Sequence, residues 1–347
     1  MSELGNIIED MIERLLTDAV DHAVLERAEA GGWDDELWAA LEDNGLPTML
    51  AEPKEKGGEF GWPEAYRVAV VCGRHALPLP LPEAIAAGWL LAMAGIAAPE
   101  GRLGLATGDG LVLDGGGVRG RLKRVAWGRH LTHVVASVSG RVLLLPLEGC
   151  AVVLGDNLAG EPRDDLVIDG VAVESAPGPV GWGADASCQL GALLRSAQMA
   201  GAIATLLDRS VAYAGERQQF GKPIGNFQAV QHMLAVLAEE SAAAAMAAGQ
   251  AFAALDLGRD KDFAIAVAKV RTGEAAGKAA AIAHQVLGAM GFAREHPLHF
   301  ASRRLWAWRA EFGSETDWAE RLAEMVIPQG GDRLWAVITA AQQDGET

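Results

Sequence analysis

The sequence predicts a mostly helical α+β protein in three consecutive regions. Residues 1–98 and 185–347 carry apolar residues at helical spacing, whereas residues 99–184 are dense in glycine and in short β-branched runs. Apolar positions recur every three or four residues on a helix and every second residue on a strand. The predicted order is therefore an N-terminal helical domain, a small β-sheet domain and a C-terminal helical domain.

Length, composition and charge limit the class of protein. The chain has 347 residues, half of them hydrophobic, and 29 basic against 46 acidic residues give a net charge of −17. This length suits two domains or one large one, and the apolar content excludes a mostly disordered chain. Nucleic acids and anionic membranes both attract basic surfaces, so we expect neither as a partner.

The N-terminal region reads as several helices. Met11, Leu15 and Val20 recur at helical spacing, and a proline-rich stretch at 77–83 separates two helices. The most apolar segment, 84–98, has roughly 15 residues and falls short of the ~20 that span a bilayer. It therefore predicts a buried helix.

The cysteines and the N-terminus indicate a cytoplasmic protein. The three cysteines are far apart and form no CxxC pair, which is typical of a reducing compartment. Acidic residues come early in the N-terminus, and no secretory signal is recognisable. The histidine pairs at 130/133 and 296/299 lack a Cys or carboxylate cluster to complete a ligand set, so no metal site is expected.

The middle and C-terminal regions differ in spacing. Turn signals about every ten residues predict a small antiparallel sheet domain. Beyond it, alanine-rich segments predict long helices at 187–215, 226–256 and 261–290 and shorter ones near 298–310, 314–326 and 330–342. Asn226 and Asp260 are the expected N-caps of two of these helices. Long helices joined by short loops pack as an antiparallel bundle.

One segment carries a family resemblance. Residues 213–232 read YAGERQQFGKPIGNFQAVQH, and this stretch resembles the acyl-CoA dehydrogenase signature Y-x-x-x-R-x-Q-F-G-x-x-I-x-x-F-Q-x-x-Q. Two other stretches, at 39–58 and 285–297, also resemble family motifs and stand in the same order. The resemblance implies a helical domain, a middle β domain and a C-terminal four-helix bundle.

The resemblance also implies FAD as the cofactor. In the family these motifs contact the FAD that is bound mainly by a neighbouring subunit, so an oligomer is implied as well. A guanidinium suits the pyrophosphate, aromatic faces and amides suit the rest of the dinucleotide, and glycine allows close approach. The implied contacts are Arg217, Phe220, Phe227, Gln228, Gln285 and Gly288.

The catalytic base of the family is missing here. Family members use a glutamate at one of two positions to remove the α-proton of a CoA thioester while the flavin takes a hydride. Those positions read Phe312 and Gly191 in this sequence. Glu311 is a weak candidate, because a one-residue shift on a helix turns a side chain by about 100°.

A second departure lies in the β domain, which looks shortened. The family's flavin-contacting stretch T-E-P-x-A-G-S-D has no match at 99–109, and Trp127 stands where a second flavin-facing strand is expected, or else is a packing residue. A basic cluster in the β domain has two interpretations: it attracts CoA phosphates or a partner's acidic face, or it is one solvated strand face. Its members are Arg119, Arg121, Lys123, Arg124 and Arg129.

Taken together, the chain resembles the non-catalytic subunit of actinobacterial heterotetrameric (α2β2) acyl-CoA dehydrogenases. A second subunit would supply the glutamate, the substrate would be the CoA ester of a fatty acid or a steroid side chain, and an electron-transfer flavoprotein or similar acceptor would reoxidise the flavin. Three alternatives remain: a self-sufficient homo-oligomeric dehydrogenase using Glu311, a non-enzymatic scaffold on the same fold, and a flavin-dependent hydroxylase.

Overall fold

Five helices form the N-terminal region of the computed structural model, which describes residues 3–114 and 117–336. Their apolar faces share one core with the start of the C-terminal bundle, through residues such as Ile12, Leu41 and Leu194. The helices are α1 (Glu3–Ala19), α2 (His22–Glu29), α3 (Asp35–Asp43), α4 (Trp62–Arg74) and α5 (Leu81–Ala94). Eleven of the 14 residues of α5 are buried, so the prediction of a buried helix here is confirmed.

The middle region contains two four-stranded sheets with an apolar core between them, which includes Val118, Val134 and Leu166. The strand orders are β1-β4-β5-β8 and β2-β3-β7-β6. The strands are β1 (Leu103–Thr107), β2 (Leu111–Asp114), β3 (Gly117–Ala126), β4 (His133–Val138), β5 (Arg141–Pro146), β6 (Ala151–Val153), β7 (Arg163–Ala172) and β8 (Glu174–Pro177).

The prediction of a small antiparallel sheet domain holds for most strand pairs but not for all. There are two sheets, and β1 pairs with β4 in parallel, whereas the other pairs in both sheets are antiparallel. The hairpin of β2 and β3 belongs to the other sheet, β2-β3-β7-β6. The strand that pairs with β1 in its own sheet is therefore β4. Periodicity identifies strands but carries no information on which strands pair.

The C-terminal region is the predicted helical bundle, and the mostly helical α+β fold class is confirmed. Its helices are α6 (Ala186–Glu216), α7 (Gln228–Asp256), α8 (Lys261–Leu287), α9 (Leu298–Trp308) and α10 (Glu315–Val326). A two-residue hairpin, β9 (Gln218–Gln219) and β10 (Lys222–Pro223), joins α6 to α7. The predicted domain boundaries fall in the connections between α5 and β1 and between β8 and α6.

The predicted helix ends are mostly close to those observed. Asp260 caps α8, since its side chain accepts a hydrogen bond from Phe263 N at 3.2 Å. The N-cap prediction for Asn226 is wrong: Asn226 closes a 3₁₀ turn, and Phe227 is the residue before α7. The helix predicted at 330–342 is a 3₁₀ turn at Gly331–Arg333 with a helical start at 334–336, and 337–342 lie outside the described residues.

Helix α6 begins beside the β domain and ends at the β9–β10 hairpin, so it connects the two ends of the C-terminal region. By length and composition it is apolar enough to cross a membrane, but 83% of its most apolar window is buried inside the protein, as in the core helix of a soluble fold. It crosses α4 closely: a Cβ on Gly73 would lie 1.9 Å from Gln198 O, and one on Gly201 2.0 Å from Val70 O. Only glycine permits this contact.

Candidate functional site

A cavity of about 630 Å³ lies where the β domain meets the bundle. Its walls come from β1, β3 and β4, from the start of α6, from the turn 310–313 and from Arg321 on α10. The turn brings Glu311 and Phe312 to this cavity, and α6 brings Ser187, Cys188 and Arg195. This cavity is therefore the place where the predicted base positions must be judged.

The two family base positions meet in space and neither carries a carboxylate. A Cβ built on Gly191 would lie 2.2 Å from Cδ1 of Phe312, far inside van der Waals contact. The ring of Phe312 therefore rests directly on the backbone of α6 at Gly191. The two positions, 121 residues apart in sequence, are filled by one aromatic ring.

Glu311 lines the same cavity but is held in ion pairs. Its Oε1 accepts from Arg163 Nε at 2.8 Å and from Asn157 Nδ2 at 3.1 Å. Its Oε2 accepts from Arg163 Nη2 at 3.2 Å and lies 2.7 Å from Arg195 Nη2. Arg163 and Asn157 thus donate three hydrogen bonds to Glu311, and Arg195 adds an ion-pair contact.

The electrostatics of Glu311 disfavour a proton-accepting role. Burial by itself raises the pKa of a carboxyl, but the charges of Arg163 and Arg195 outweigh it and hold the pKa of Glu311 well below its ordinary value. A general base works best when its pKa lies near the operating pH. Glu311 is thus a weak base that must break an ion pair before it accepts a proton.

Glu311 belongs to a larger ion-pair network of three glutamates and three arginines, all buried. The network joins the three regions of the chain: α5 supplies one carboxylate, the β domain supplies an ion pair, and the bundle supplies the rest. Its members are Glu83, Glu161, Arg163, Arg195, Arg304 and Glu311. The charges of these six residues balance, and Arg304 also contacts Glu29 at 3.2 Å. Among the described residues, Nε of Arg195 and Nε and Nη2 of Arg304 have no hydrogen-bond partner.

Lys269 of α8 fastens the turn that carries Glu311 and Phe312. The buried Nζ donates to Arg309 O at 2.6 Å and to Gly313 O at 2.7 Å, at the two ends of the turn. Burial lowers the pKa of Lys269 to about 8. A neutral amine has two N–H donors, the number that these two carbonyls require.

The depressed pKa of Lys269 predicts a pH-dependent stability. Between pH 8 and the ordinary lysine value the unfolded chain binds more protons than the folded one, so the free energy of unfolding rises with pH across this window. We expect the difference in unfolding free energy between the wild type and Lys269→Met to grow in favour of the wild type by on the order of 2 kcal/mol from pH 7 to 9.5. Urea denaturation at several pH values measures it, and a constant difference would contradict it.

The basic cluster of the β domain divides between two roles. Arg121 pairs with Asp165 at 2.8 Å, which fits the interpretation of a solvated strand face. Arg129 lies in the turn after β3 and pairs with the fully buried Asp164 at 2.7 Å. Lys123 and Arg124 instead line the mouth of the cavity. Trp127 is a packing residue, 2% exposed, with its ring 5.7 Å from that of Trp33.

The residues implied to contact FAD lie elsewhere, at the far end of the bundle. Phe220 occupies the turn of the β9–β10 hairpin with φ of +53°, and its side chain is 92% exposed. A bulky residue at positive φ is strained, and strain of this kind concentrates at functional sites. The ring meets that of Phe227 edge-on at 6.1 Å, and Lys222 Nζ lies 4.5 Å from the centre of the Phe227 ring.

The other implied contacts surround this hairpin. Arg217 ends α6 with an exposed side chain, and Gln228, the first residue of α7, is exposed too. Helix α8 runs back along α7 and ends beside its start, so the exposed Gln285 and Gly288 come to the same end of the bundle. Gly288 has φ of +57°, and nothing in the described chain lies within 4 Å of the place of its missing Cβ.

This exposed surface and the cavity lie at opposite ends of α6. Arg195 and Arg217 are 22 residues apart, which is about 33 Å along a helix axis. Arg217 therefore cannot contact a group held in the cavity of its own chain. The arrangement supplies a guanidinium, two amides and two aromatic faces to a ligand that approaches from outside.

Comparisons with known proteins decide the family. Residues 184–326 match the model described as acyl-CoA dehydrogenase, C-terminal domain. The chain is 32% identical over 334 residues to acyl-CoA dehydrogenase FadE34 of Mycobacterium tuberculosis, covering 92% of this chain and 46% of that relative. This chain belongs to the acyl-CoA dehydrogenase family. It spans about half the length of FadE34.

Solved structures of the same fold agree. The chain is similar to one in the ChsE4–ChsE5 complex from Mycobacterium tuberculosis, with a TM-score of 0.81, 21% identity and coverage of 94% of this chain and 98% of that one. It is similar also to the Tcur3481–Tcur3483 steroid ACAD variant, with a TM-score of 0.84, 23% identity and the same two coverages. These similarities concern the fold.

FAD is the cofactor that membership of the acyl-CoA dehydrogenase family supports. The surface at the end of the bundle fits it, because open space faces Gly288 and the Phe220 ring is exposed. When bound, the flavin accepts the hydride of the family's reaction. Arg217 and the side chains around it would bind and orient the dinucleotide.

Sequence reasoning missed four residues that shape these two sites. Two of them, Arg163 and Arg195, line the cavity and pair with Glu311. Lys269 fastens the turn that carries Glu311 and Phe312, and Lys222 supplies a cation beside Phe227. One signal was visible: Arg195 is a lone charge in the most apolar part of α6, and such charges are buried only when paired. The other three resemble ordinary surface cations in sequence.

Proposed function

We propose that this chain is the non-catalytic subunit of an FAD-dependent acyl-CoA dehydrogenase, and that it completes the FAD site of a partner subunit. The observation that carries the proposal is the separation of about 33 Å between the exposed residues around Arg217 and the cavity, where the family's two base positions read Gly191 and Phe312. In this role Arg217 binds the pyrophosphate, and the aromatic and amide side chains around it bind the rest of the dinucleotide. The partner supplies the glutamate and the contacts to the flavin ring.

The proposed reaction is the α,β-dehydrogenation of a CoA thioester in a reducing, cytoplasmic compartment. The partner is a second acyl-CoA dehydrogenase chain, in an α2β2 assembly, and an electron-transfer flavoprotein or a similar protein accepts the electrons. The acyl group is a fatty acid or a steroid side chain. The similarity to a fold described as a steroid ACAD supports the steroid choice, and the fold similarity to a chain of a two-component complex supports the assembly.

Reconstitution tests the proposal. The chain is expressed alone and together with a second acyl-CoA dehydrogenase chain that carries the family's glutamate, and flavin absorbance and thioester-dependent dye reduction are measured. We expect the chain alone to be colourless and inactive and the assembly to be yellow and active. A yellow, active enzyme from this chain alone would overturn the proposal, and an assembly without flavin would favour a scaffold.

A self-sufficient dehydrogenase that uses Glu311 is the second candidate, because Glu311 does line the cavity. Its three hydrogen bonds, its ion pair with Arg195 and its depressed pKa stand against this role. Turnover by the chain alone that disappears in Glu311→Gln while FAD is retained would favour it.

A further inference from the structure

Phe312 and Gly191 are complementary in size. The Cδ1, Cε1 and Cγ atoms of the Phe312 ring all lie 2.2–2.4 Å from the position that a Cβ on Gly191 would take. Protein interiors are packed to crystal density, so a single methyl group at position 191 would have to displace the ring. The notch at Gly191 and the ring that fills it form one unit.

Contacts around the turn keep the Phe312 ring in this notch, although the backbone at Phe312 is strained. Phe312 has φ of +55°, which is an outlier for a bulky residue. Its carbonyl oxygen accepts a hydrogen bond from Trp318 Nε1 at 2.8 Å, and Lys269 binds both ends of the turn. Strained conformations persist only where their surroundings determine them, and they cluster at functional positions.

The space beyond the ring is charged. The guanidinium carbon of Arg195 lies 5.8 Å from the centre of the Phe312 ring. The ion pair of Arg163 and Glu311 lines the same cavity. An acyl chain that passed the ring would have to bury methylene groups against these ions. On the side of α6 the cavity therefore ends at the Phe312 ring and at buried ions, and neither leaves an apolar channel for an acyl chain.

We propose that Phe312, seated in the notch at Gly191, is a plug that fills the α6 side of this chain's own cavity and keeps the acyl chain of a CoA thioester out of that side. The loss of the base is then accompanied by a loss of space, and returning a carboxylate to position 191 does not by itself restore a site. The inference rests on the proposed function in one respect. Under that function, the partner subunit binds the acyl chain that Phe312 excludes.

The first test concerns the fit of the two residues. The midpoint of urea unfolding is measured for Gly191→Ala, Phe312→Ala and the double variant. We expect Gly191→Ala to lower the midpoint in the wild-type background and to leave it unchanged or higher in the Phe312→Ala background. Gly215→Ala is the matched control, because it lies on the same helix with nothing within 4 Å of its missing Cβ, and it should not lower the midpoint. Equal losses in both backgrounds would overturn the fit.

The second test concerns the ligand. Equilibrium dialysis of the full chain measures the dissociation constants of octanoyl-CoA and of CoA. We expect the wild type and Phe312→Tyr to bind the two alike, and Phe312→Ala to bind octanoyl-CoA at least tenfold tighter than CoA. A wild type that already prefers octanoyl-CoA tenfold, or a Phe312→Ala variant without preference, would overturn the plug. Neither measurement requires flavin or a partner, so failure of the reconstitution experiment would leave this result intact.

Discussion

Replacing Arg217 with alanine is expected to remove most of the FAD from the assembled dehydrogenase. Hydrogen bonds to charged groups contribute about 1.5–3 kcal/mol each, so the loss of one guanidinium–pyrophosphate contact weakens FAD binding by roughly 10- to 150-fold. The side chain of Arg217 is exposed and is not part of the core of the described residues, so the expected loss is an effect on binding. Flavin content after gel filtration and the dissociation constant of FAD from fluorescence titration measure it.

The control for Arg217→Ala is Arg14→Ala. Arg14 is an exposed arginine on α1, so its removal changes the net charge by the same amount. We expect Arg14→Ala to retain FAD and activity, and Arg217→Lys to recover part of the affinity, because lysine keeps the charge but not the forked geometry. Equal FAD affinity in the wild-type and Arg217→Ala assemblies would contradict the role of Arg217 as an FAD contact.

Replacing Glu311 with alanine is expected to destabilise the chain more than any change at its surface. The substitution leaves Arg163 and Arg195 buried with one carboxylate fewer, and breaking a buried ion pair in this way costs about 3–5 kcal/mol. The effect should be visible as a lower free energy of unfolding in urea. Since the network joins α5, the β domain and the bundle, the loss should appear in one cooperative transition.

The control for Glu311→Ala is Glu320→Ala, which removes an exposed carboxylate on α10 and should change the free energy of unfolding by less than about 0.5 kcal/mol. The folded pKa of Glu311 is depressed, so its contribution is fully present above the unfolded pKa near 4.3 and is lost as the pH falls below it. The gap between wild type and Glu311→Ala should therefore narrow in acid. A gap below 1 kcal/mol at pH 7 would contradict the structural role of Glu311.

Much of the fold could be predicted because local patterns determine it. The long helices α6, α7 and α8 follow the 3.6-residue spacing of their apolar residues, and Asp260 caps α8 as its position before the apolar run predicts. The division into two sheets and the parallel pairing of β1 with β4 could not be predicted. Both depend on which sheet the β2–β3 hairpin joins, and periodicity does not record this. The wrong cap at Asn226 has a similar cause: a 3₁₀ turn inserted before α7 shifts the start of the helix by two residues.

The sequence by itself determined the order of the three regions, the family resemblance of residues 213–232 and the absence of a carboxylate at positions 191 and 312. The tertiary structure decided what that absence means. It brings Gly191 and Phe312 into one contact, ties Glu311 to Arg163 and Arg195, and leaves Arg217 exposed at the other end of α6. The physical reason is that a side chain's role depends on neighbours that are distant in sequence, and spacing along the chain records only local geometry.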